Sequence, residues 1–66
     1  MEKEIWELNK KEKFKVRKDS KTIFYRGLDV DGGVLGYVQN EIDFNGTIIV
    51  VNNYKWFPKD TIVYAI

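Results

Sequence analysis

The residue types that most often carry chemistry are scarce in this chain. Its 66 residues include no histidine and no cysteine. Histidine is the commonest general base, and both residues are usual ligands of zinc and similar ions. Ser-His and Cys-His nucleophile pairs and thiolate metal sites are therefore excluded. The composition predicts a protein that is not an enzyme and that holds no cofactor and no metal ion.

Two aspartates are the remaining candidates for a cation site. Asp29 and Asp31 stand two residues apart, so on a strand their carboxylates would point the same way and could bind a hard ion such as Ca²⁺. The sequence "DVDGG" lacks the further oxygen ligands of a calcium loop, and Asp beside Gly is also what a hairpin turn requires. Turns likewise explain Gly32, Gly33 and Gly36 better than a phosphate-binding loop does, because no Lys-Ser/Thr pair follows them.

A basic segment is the first candidate binding site. Between Lys10 and Arg26 there are eight Lys or Arg and two acidic residues, although the net charge of the chain is only +1. In "KFKVRK" the cations alternate with apolar residues, which predicts a strand whose outer face could follow a phosphate backbone while Phe24 or Tyr25 stacks on a base. The nucleic-acid-binding residues in this interpretation are Lys13, Lys15, Arg17, Lys18 and Arg26. The same pattern also suits a solvated face that discourages edge-to-edge pairing.

An aromatic segment is the second candidate binding site. In "NNYKWFP" three aromatic residues occur within four positions, next to the only proline of the chain. So small a core is not expected to bury every ring, and exposed aromatic rings commonly anchor protein interfaces. The protein-binding residues predicted here are Tyr54, Trp56, Phe57 and Pro58. If the segment is extended, Tyr54 and Trp56 share one side and Phe57 takes the other. Alternatively Trp56 or Phe57 seals the end of the fold, and both interpretations hold if one ring lies inside and one outside.

Hydrophobic alternation and turn residues predict the strands that position these segments. Strands are expected at "KFKVRK", "TIFYRGLDV", "VLGYVQ", "TIIVVN" and "TIVYAI". "DGG" and Asn45-Gly46 predict tight hairpin turns, and alternation continues through Ile42 and Phe44 up to the second turn. "TIIVVN" indicates a central strand covered on both faces or a sharply curved barrel strand. "NNYKWFPKD" indicates a loop that ends in a short 3₁₀ turn, because proline cannot donate to a ladder.

The first eleven residues are ambiguous. Ile5 and Leu8 stand three apart among good helix formers, so a short helix is favoured over a strand for residues 2–11. The segment is charged and has no continuous apolar stretch, so no signal peptide is predicted, and no apolar run is long enough to span a bilayer. Because the chain also lacks the disulfides of small secreted domains, a cytoplasmic protein is expected.

The predicted strands make one antiparallel domain, residues 1–66, because the short turns leave no room for crossovers. About five strands should curl into a small barrel. The stretch "WFPKDTIVYAI" resembles the end of an SH3-type barrel, in which a distal hairpin, a 3₁₀ turn carrying a proline and a final short strand follow in that order. The resemblance covers the last third of the chain and implies an SH3-like fold. Of the family's ligand-groove residues only Pro58 is matched, since Thr61 stands where the family has a tyrosine, so the resemblance does not extend to proline-rich peptide binding.

The interpretation that follows is a small non-enzymatic protein-binding module, with the Tyr54 to Pro58 segment as its apolar anchor. Richness in Lys, Ile and Asn suggests an AT-rich bacterial or phage genome, which would suit a phage or mobile-element accessory protein that acts on a host protein. A nucleic-acid-binding barrel that uses the basic strand is the second hypothesis. The third is a self-associating structural protein, paired through an open barrel edge or through "TIVYAI". No membrane partner is expected.

Overall fold

A computed structural model describes residues 1–66, and almost all of its regular structure is β. Six strands are joined by turns and by one 3₁₀ helix. In chain order the elements are β1 (Glu2–Glu4), the 3₁₀ helix (Ile5–Glu7), β2 (Lys13–Lys15), β3 (Phe24–Val30), β4 (Gly33–Phe44), β5 (Thr47–Pro58) and β6 (Ile62–Ala65). The predicted mainly β fold is therefore confirmed, with six strands in place of about five.

All six strands belong to one sheet in the order β1-β6-β2-β3-β4-β5, and every pairing is antiparallel. The sheet is open, with β1 and β5 as its two edges. The predicted final strand, "TIVYAI", is present as β6. Because β6 lies between β1 and β2, both of its sides are already paired. The hypothesis of self-association through this strand therefore lacks the free edge that it requires.

The N-terminal segment is a strand followed by one 3₁₀ turn, so the predicted short helix over residues 2–11 is wrong. Glu2–Glu4 pairs with β6, and the backbone N–H of Ile5 donates to the carbonyl of Thr61 at 2.8 Å. Ile5 and Leu8 are both buried, so packing against the sheet outweighs the local helix propensity. With this three-residue turn as its only helical element, the chain has no helix that could cross a bilayer.

The two predicted hairpin turns are both confirmed. Asp31 and Gly32 join β3 to β4 with φ angles of 50° and 74°, and Asn45 and Gly46 join β4 to β5 with φ angles of 52° and 80°. Positive φ at both central residues is the geometry of a two-residue turn that matches the twist of the strands. Asp and Asn tolerate this geometry better than other non-glycine residues do, so local chemistry accounts for both turns.

The hydrophobic core lies on one face of the sheet, which is called the inner face below. Its buried side chains are Ile5, Leu8, Phe14, Val34, Phe57 and Val63. Gly36 lies directly under this cluster. A Cβ built on Gly36 would stand 2.8 Å from Cζ of Phe14 and 2.9 Å from Cε2 of Phe57, so only glycine leaves room for both rings.

Strand β5 differs most from its prediction. It pairs with β4 along its whole length, so "NNYKWFP" is strand and the predicted loop is wrong. Pro58 is tolerated because it ends an edge strand, where its missing N–H interrupts no ladder. "TIIVVN" is also not a strand covered on both faces, because β5 is an edge and the residues from Thr47 to Val50 are exposed.

The outer half of the β4–β5 hairpin projects beyond the remaining strands and is called the arm, residues 39–53. Pairing between β3 and β4 ends at Tyr37, so the arm consists of two strands alone. Every residue from Gln39 to Val50 is exposed. The molecule is elongated, with principal extents of 41 × 28 × 15 Å.

Candidate binding surface on the outer sheet face

The aromatic residues of β5 are divided between the two faces of the sheet. Tyr54 pairs with Tyr37 and Trp56 pairs with Leu35, whereas Phe57 pairs with Val34 of the core. Residues opposite one another on antiparallel strands share a face, and neighbours along a strand alternate. Tyr54 and Trp56 therefore lie on the outer face and Phe57 on the inner face, as the alternation predicted for an extended segment.

Phe57 is a core residue and not a surface anchor. Its side chain is only 5% exposed. Its ring makes edge-to-face contacts with Phe14 and Phe24 at centroid distances of 5.9 and 5.7 Å. Of the four predicted protein-binding residues, Phe57 thus takes the alternative role of closing the core, while Pro58 is exposed at the end of β5.

Trp56 is both exposed and firmly held. Its indole N–H donates to the carbonyl of Val30 at 2.8 Å, which fixes the orientation of the ring. The ring lies over Gly33, where an added Cβ would come within 2.4 Å of indole carbon Cε2. Even so, 45% of Trp56 remains accessible. Because its only polar atom is already hydrogen-bonded, the part of the indole that faces solvent is purely apolar.

A row of tyrosines extends the exposed surface from Trp56 across three strands. Tyr25 on β3 stacks on Tyr37 of β4 with ring centroids 5.4 Å apart, and Tyr37 meets Tyr54 of β5 at 5.3 Å. Tyr54 is the outermost ring and is 59% exposed. These three tyrosines and Trp56 are called the aromatic face below. Each ring contact limits the motion of its neighbours, so the aromatic face has low conformational entropy before it binds anything.

The predicted basic residues are only partly brought together. Lys13 and Lys15 stand on β2, and the ammonium of Lys13 lies 5.9 Å from the centre of the Tyr25 ring. Arg17 and Lys18 are exposed in the turn that follows β2. These four cations remain accessible or partly accessible, and Lys13 is the one that lies against a ring of the aromatic face.

Arg26 does not belong to an accessible basic surface, so its predicted nucleic-acid contact lacks the exposed guanidinium that it would require. It is 5% exposed, and its guanidinium donates to the carboxylate of Asp29 at 2.8 Å and to the carbonyl of Gly27. The register between β3 and β4 shifts between Arg26 and Asp29. Arg26 therefore pairs with Gly36 on the inner face, whereas regular alternation back from Val30 would place it on the outer face. The ion pair also occupies Asp29, one of the two aspartates considered for a cation, while Asp31 serves as a turn residue.

Sequence reasoning did not assign three residues to the outer binding surface: Tyr37, Lys10 and Lys11. Tyr37 is the central ring of the tyrosine row, and it could have been found because the turn at Asn45-Gly46 sets Tyr37 opposite Tyr54. Lys10 and Lys11 border the same shallow groove as Tyr37 and Tyr54. The backbone N–H of Lys11 donates to the carbonyl of Arg26 at 2.7 Å, a contact that no local pattern indicates.

Neither tryptophan is buried. Trp6, in the 3₁₀ helix, is 53% exposed, and its indole N–H donates to the carboxylate of Glu4 at 2.8 Å. Trp6 lies outside the aromatic face and borders a cavity lined by both acidic and basic side chains, among them Asp31 and Lys59. It therefore provides a natural comparison for Trp56. Comparison of the chain with protein-family models, with curated proteins and with solved structures found no match.

Proposed function

We propose that this protein is a non-enzymatic protein-binding module whose anchor is the aromatic face. The observation that carries the proposal is Trp56, which is held by Val30 and Gly33 and yet exposes nearly half of its surface. Tryptophan and tyrosine dominate the binding energy of protein interfaces, and a ring that is already fixed loses little entropy on association. Tyr54 and Pro58 extend the anchor along β5.

The partner in this proposal is a folded host protein with an apolar pocket that accepts the indole. Such a pocket needs no hydrogen-bond acceptor opposite Trp56, because the indole N–H already donates to the carbonyl of Val30. The surrounding lysines and the acidic arm act on orientation and association rate and contribute little to affinity. A small phage or mobile-element accessory protein remains the proposed biological setting.

We also propose that the sheet belongs to the SH3-like class of small barrels. A long hairpin, a turn that begins at Pro58 and a final short strand follow one another in the order that the resemblance implies. In that turn the N–H of Thr61 donates to the carbonyl of Pro58 at 3.0 Å. Ile5 and Leu8 pack in the core on the inner face, so the N-terminal segment covers part of the open sheet.

Nucleic-acid binding is the second candidate, favoured by the tyrosines beside Lys13, Lys10 and Lys11. Stacked aromatic rings next to cations are the elements of single-strand recognition. The net charge of +1 weakens this candidate, because affinity of this type grows with the number of phosphates that are neutralised. The first candidate therefore has the stronger support.

A capture experiment with matched tryptophan variants tests the proposal. Wild type, Trp56→Ala and Trp6→Ala are used as baits in bacterial lysate, each with and without nuclease, after circular dichroism has shown that all three fold. Tyr54→Ala provides a second anchor variant that breaks no hydrogen bond. We expect one discrete protein to be captured by wild type and Trp6→Ala and lost with both anchor variants. Nuclease-sensitive capture that does not depend on Trp56 would support the second candidate in its place.

A further inference from the structure

The free edge of β5 within the arm is unprotected against pairing with another strand. The stretch from Thr47 to Asn53 contains no charged residue and no proline. Proteins usually guard an open edge with charges, proline or a bulge. The opposite edge of this sheet follows that practice, because β1 consists of Glu2, Lys3 and Glu4. The difference between the two edges indicates that another strand pairs with the β5 edge.

The same stretch is apolar on both faces. Ile48 and Val50 lie on the outer face, and Ile49 lies on the inner face beside Ile42 and close to Phe44. The relative exposures of Ile48, Val50 and Phe44 are 60%, 58% and 61%. The exposed apolar surface is divided between the two faces, with Ile42, Phe44 and Ile49 exposing on the order of 300 Å² on the inner face, and a contiguous patch of that size on a monomer often marks an interaction site.

We propose that a second copy of this chain covers the edge, with β5 pairing antiparallel to β5 of that copy about a two-fold axis at Val50. This register pairs the whole uncharged stretch, because Ile49 then faces Val51 of the second copy and Thr47 faces its Asn53. Antiparallel partners share a face, so apolar side chains meet apolar side chains on the inner face. The result is a closed symmetric dimer with one continuous sheet.

The charges of the arm favour this edge and this partner. Glu41 is the cross-strand partner of Val50 on β4, and Asp43 is that of Ile48. With strands about 4.8 Å apart, the two copies of Glu41 would be separated by three spacings, or about 14 Å. That separation exceeds the screening length of about 8 Å at physiological salt, so their repulsion is weak. Pairing through the β4 edge would instead bring these carboxylates together.

A copy of the chain also fits better than an unrelated strand. The edge from Thr47 to Asn53 has no charge with which to select a partner or set its register. A two-fold axis at Val50 needs no such selection, because it sets Ile49 against Val51 and Thr47 against Asn53 and gives every residue of the uncharged stretch a partner. The paired stretch is about 23 Å long at 3.3 Å per residue. Trp56 lies beyond the paired stretch, whereas Tyr54 directly follows its last residue, Asn53.

Single-cysteine cross-linking tests the register directly, because the chain has no cysteine of its own. Val50→Cys would place two thiols at opposing positions across the two-fold axis, with their Cα atoms about 4.5–5.5 Å apart, within the range that a disulfide spans. Glu41→Cys is the matched control, since it stands on the same face of the same arm but on the other strand. With oxidised glutathione as the oxidant, we expect at least ten times more cross-linked dimer from Val50→Cys. Equal yields would overturn the proposed register and the proposal with it.

Sedimentation equilibrium provides a second measurement that does not depend on cysteine chemistry. We expect a concentration-dependent dimer for wild type and a monomer for Val50→Lys, because lysine on an edge strand opposes pairing. Gln39→Lys, which adds the same charge to the outer face of the arm on β4, should remain dimeric. A wild-type monomer at every concentration up to the millimolar range would refute the second copy as occupant and leave the edge to a strand of another protein.

Discussion

Replacing Gly33 with alanine tests how Trp56 is held on the aromatic face. A Cβ at position 33 would lie 2.4 Å from indole carbon Cε2 and 2.4 Å from the carbonyl oxygen of Phe57. Carbon atoms in contact are normally about 3.5–4.0 Å apart, so the overlap with the ring exceeds about 1 Å. We expect Gly33→Ala to displace the indole and to break its 2.8 Å hydrogen bond to Val30.

The expected loss of stability combines the overlap with the indole ring and the loss of its hydrogen bond. Overpacking of this kind costs about 1–3 kcal/mol, and the lost hydrogen bond costs about 1 kcal/mol. Together they predict that the free energy of unfolding falls by roughly 2–4 kcal/mol. A chain of this length has a total stability of roughly 3–10 kcal/mol, so the variant should be clearly weakened.

Gly32→Ala is the matched control for this prediction. Nothing lies within 4 Å of a Cβ at Gly32, but its φ of 74° is strained for alanine, at a cost of about 1–2 kcal/mol. Gly32→Ala should therefore lose stability without disturbing Trp56. Urea unfolding and tryptophan emission are measured in a Trp6→Phe background, in which Trp56 is the only indole. We expect only Gly33→Ala to show red-shifted native emission, and native emission like that of the parent would refute the reasoning.

Two further predictions concern the core and the basic strand. Gly36→Ala should lower the free energy of unfolding by about 1–3 kcal/mol, because its Cβ would overlap the Phe14 ring. Urea denaturation measures this, and an equally stable variant would contradict the described packing. If the second candidate function holds, replacing both Lys13 and Lys15 with glutamine should reduce the slope of log affinity for a single-stranded oligonucleotide against log salt by about 1.4. Fluorescence anisotropy at several salt concentrations measures the slope, and an unchanged value would exclude both lysines from phosphate contact.

Features that depend on a few neighbouring residues could be predicted from the sequence. Both hairpin turns follow from Asp31-Gly32 and Asn45-Gly46, whose side chains suit positive φ. The alternation of Tyr54, Trp56 and Phe57 between faces follows from strand geometry alone. This inference holds only if the segment is a strand, whereas Pro58 led to the prediction of a loop for the same residues.

Register could be predicted for one hairpin and not for the other. The turn at Asn45-Gly46 sets Tyr37 opposite Tyr54, as observed. The turn at Asp31-Gly32, continued regularly from the pair Val30–Gly33, would set Tyr25 opposite Val38. The shift between Arg26 and Asp29 moves Tyr25 opposite Tyr37 instead, which completes the tyrosine row and buries Arg26. Packing decides such a bulge, and Gly27 inside the predicted strand is the local signal that accompanies it.

The sequence by itself determined the strand-rich fold, its two tight turns and the absence of histidine and cysteine chemistry. Only the tertiary structure decided which ring of the aromatic segment enters the core and that "TIIVVN" lies at an edge. Its five β-branched residues suit a strand with neighbouring strands on both sides, and the fold supplies only one such neighbour. The physical reason is that turn and alternation preferences act over a few residues, whereas the neighbours of a strand are set by pairing between segments far apart in the chain.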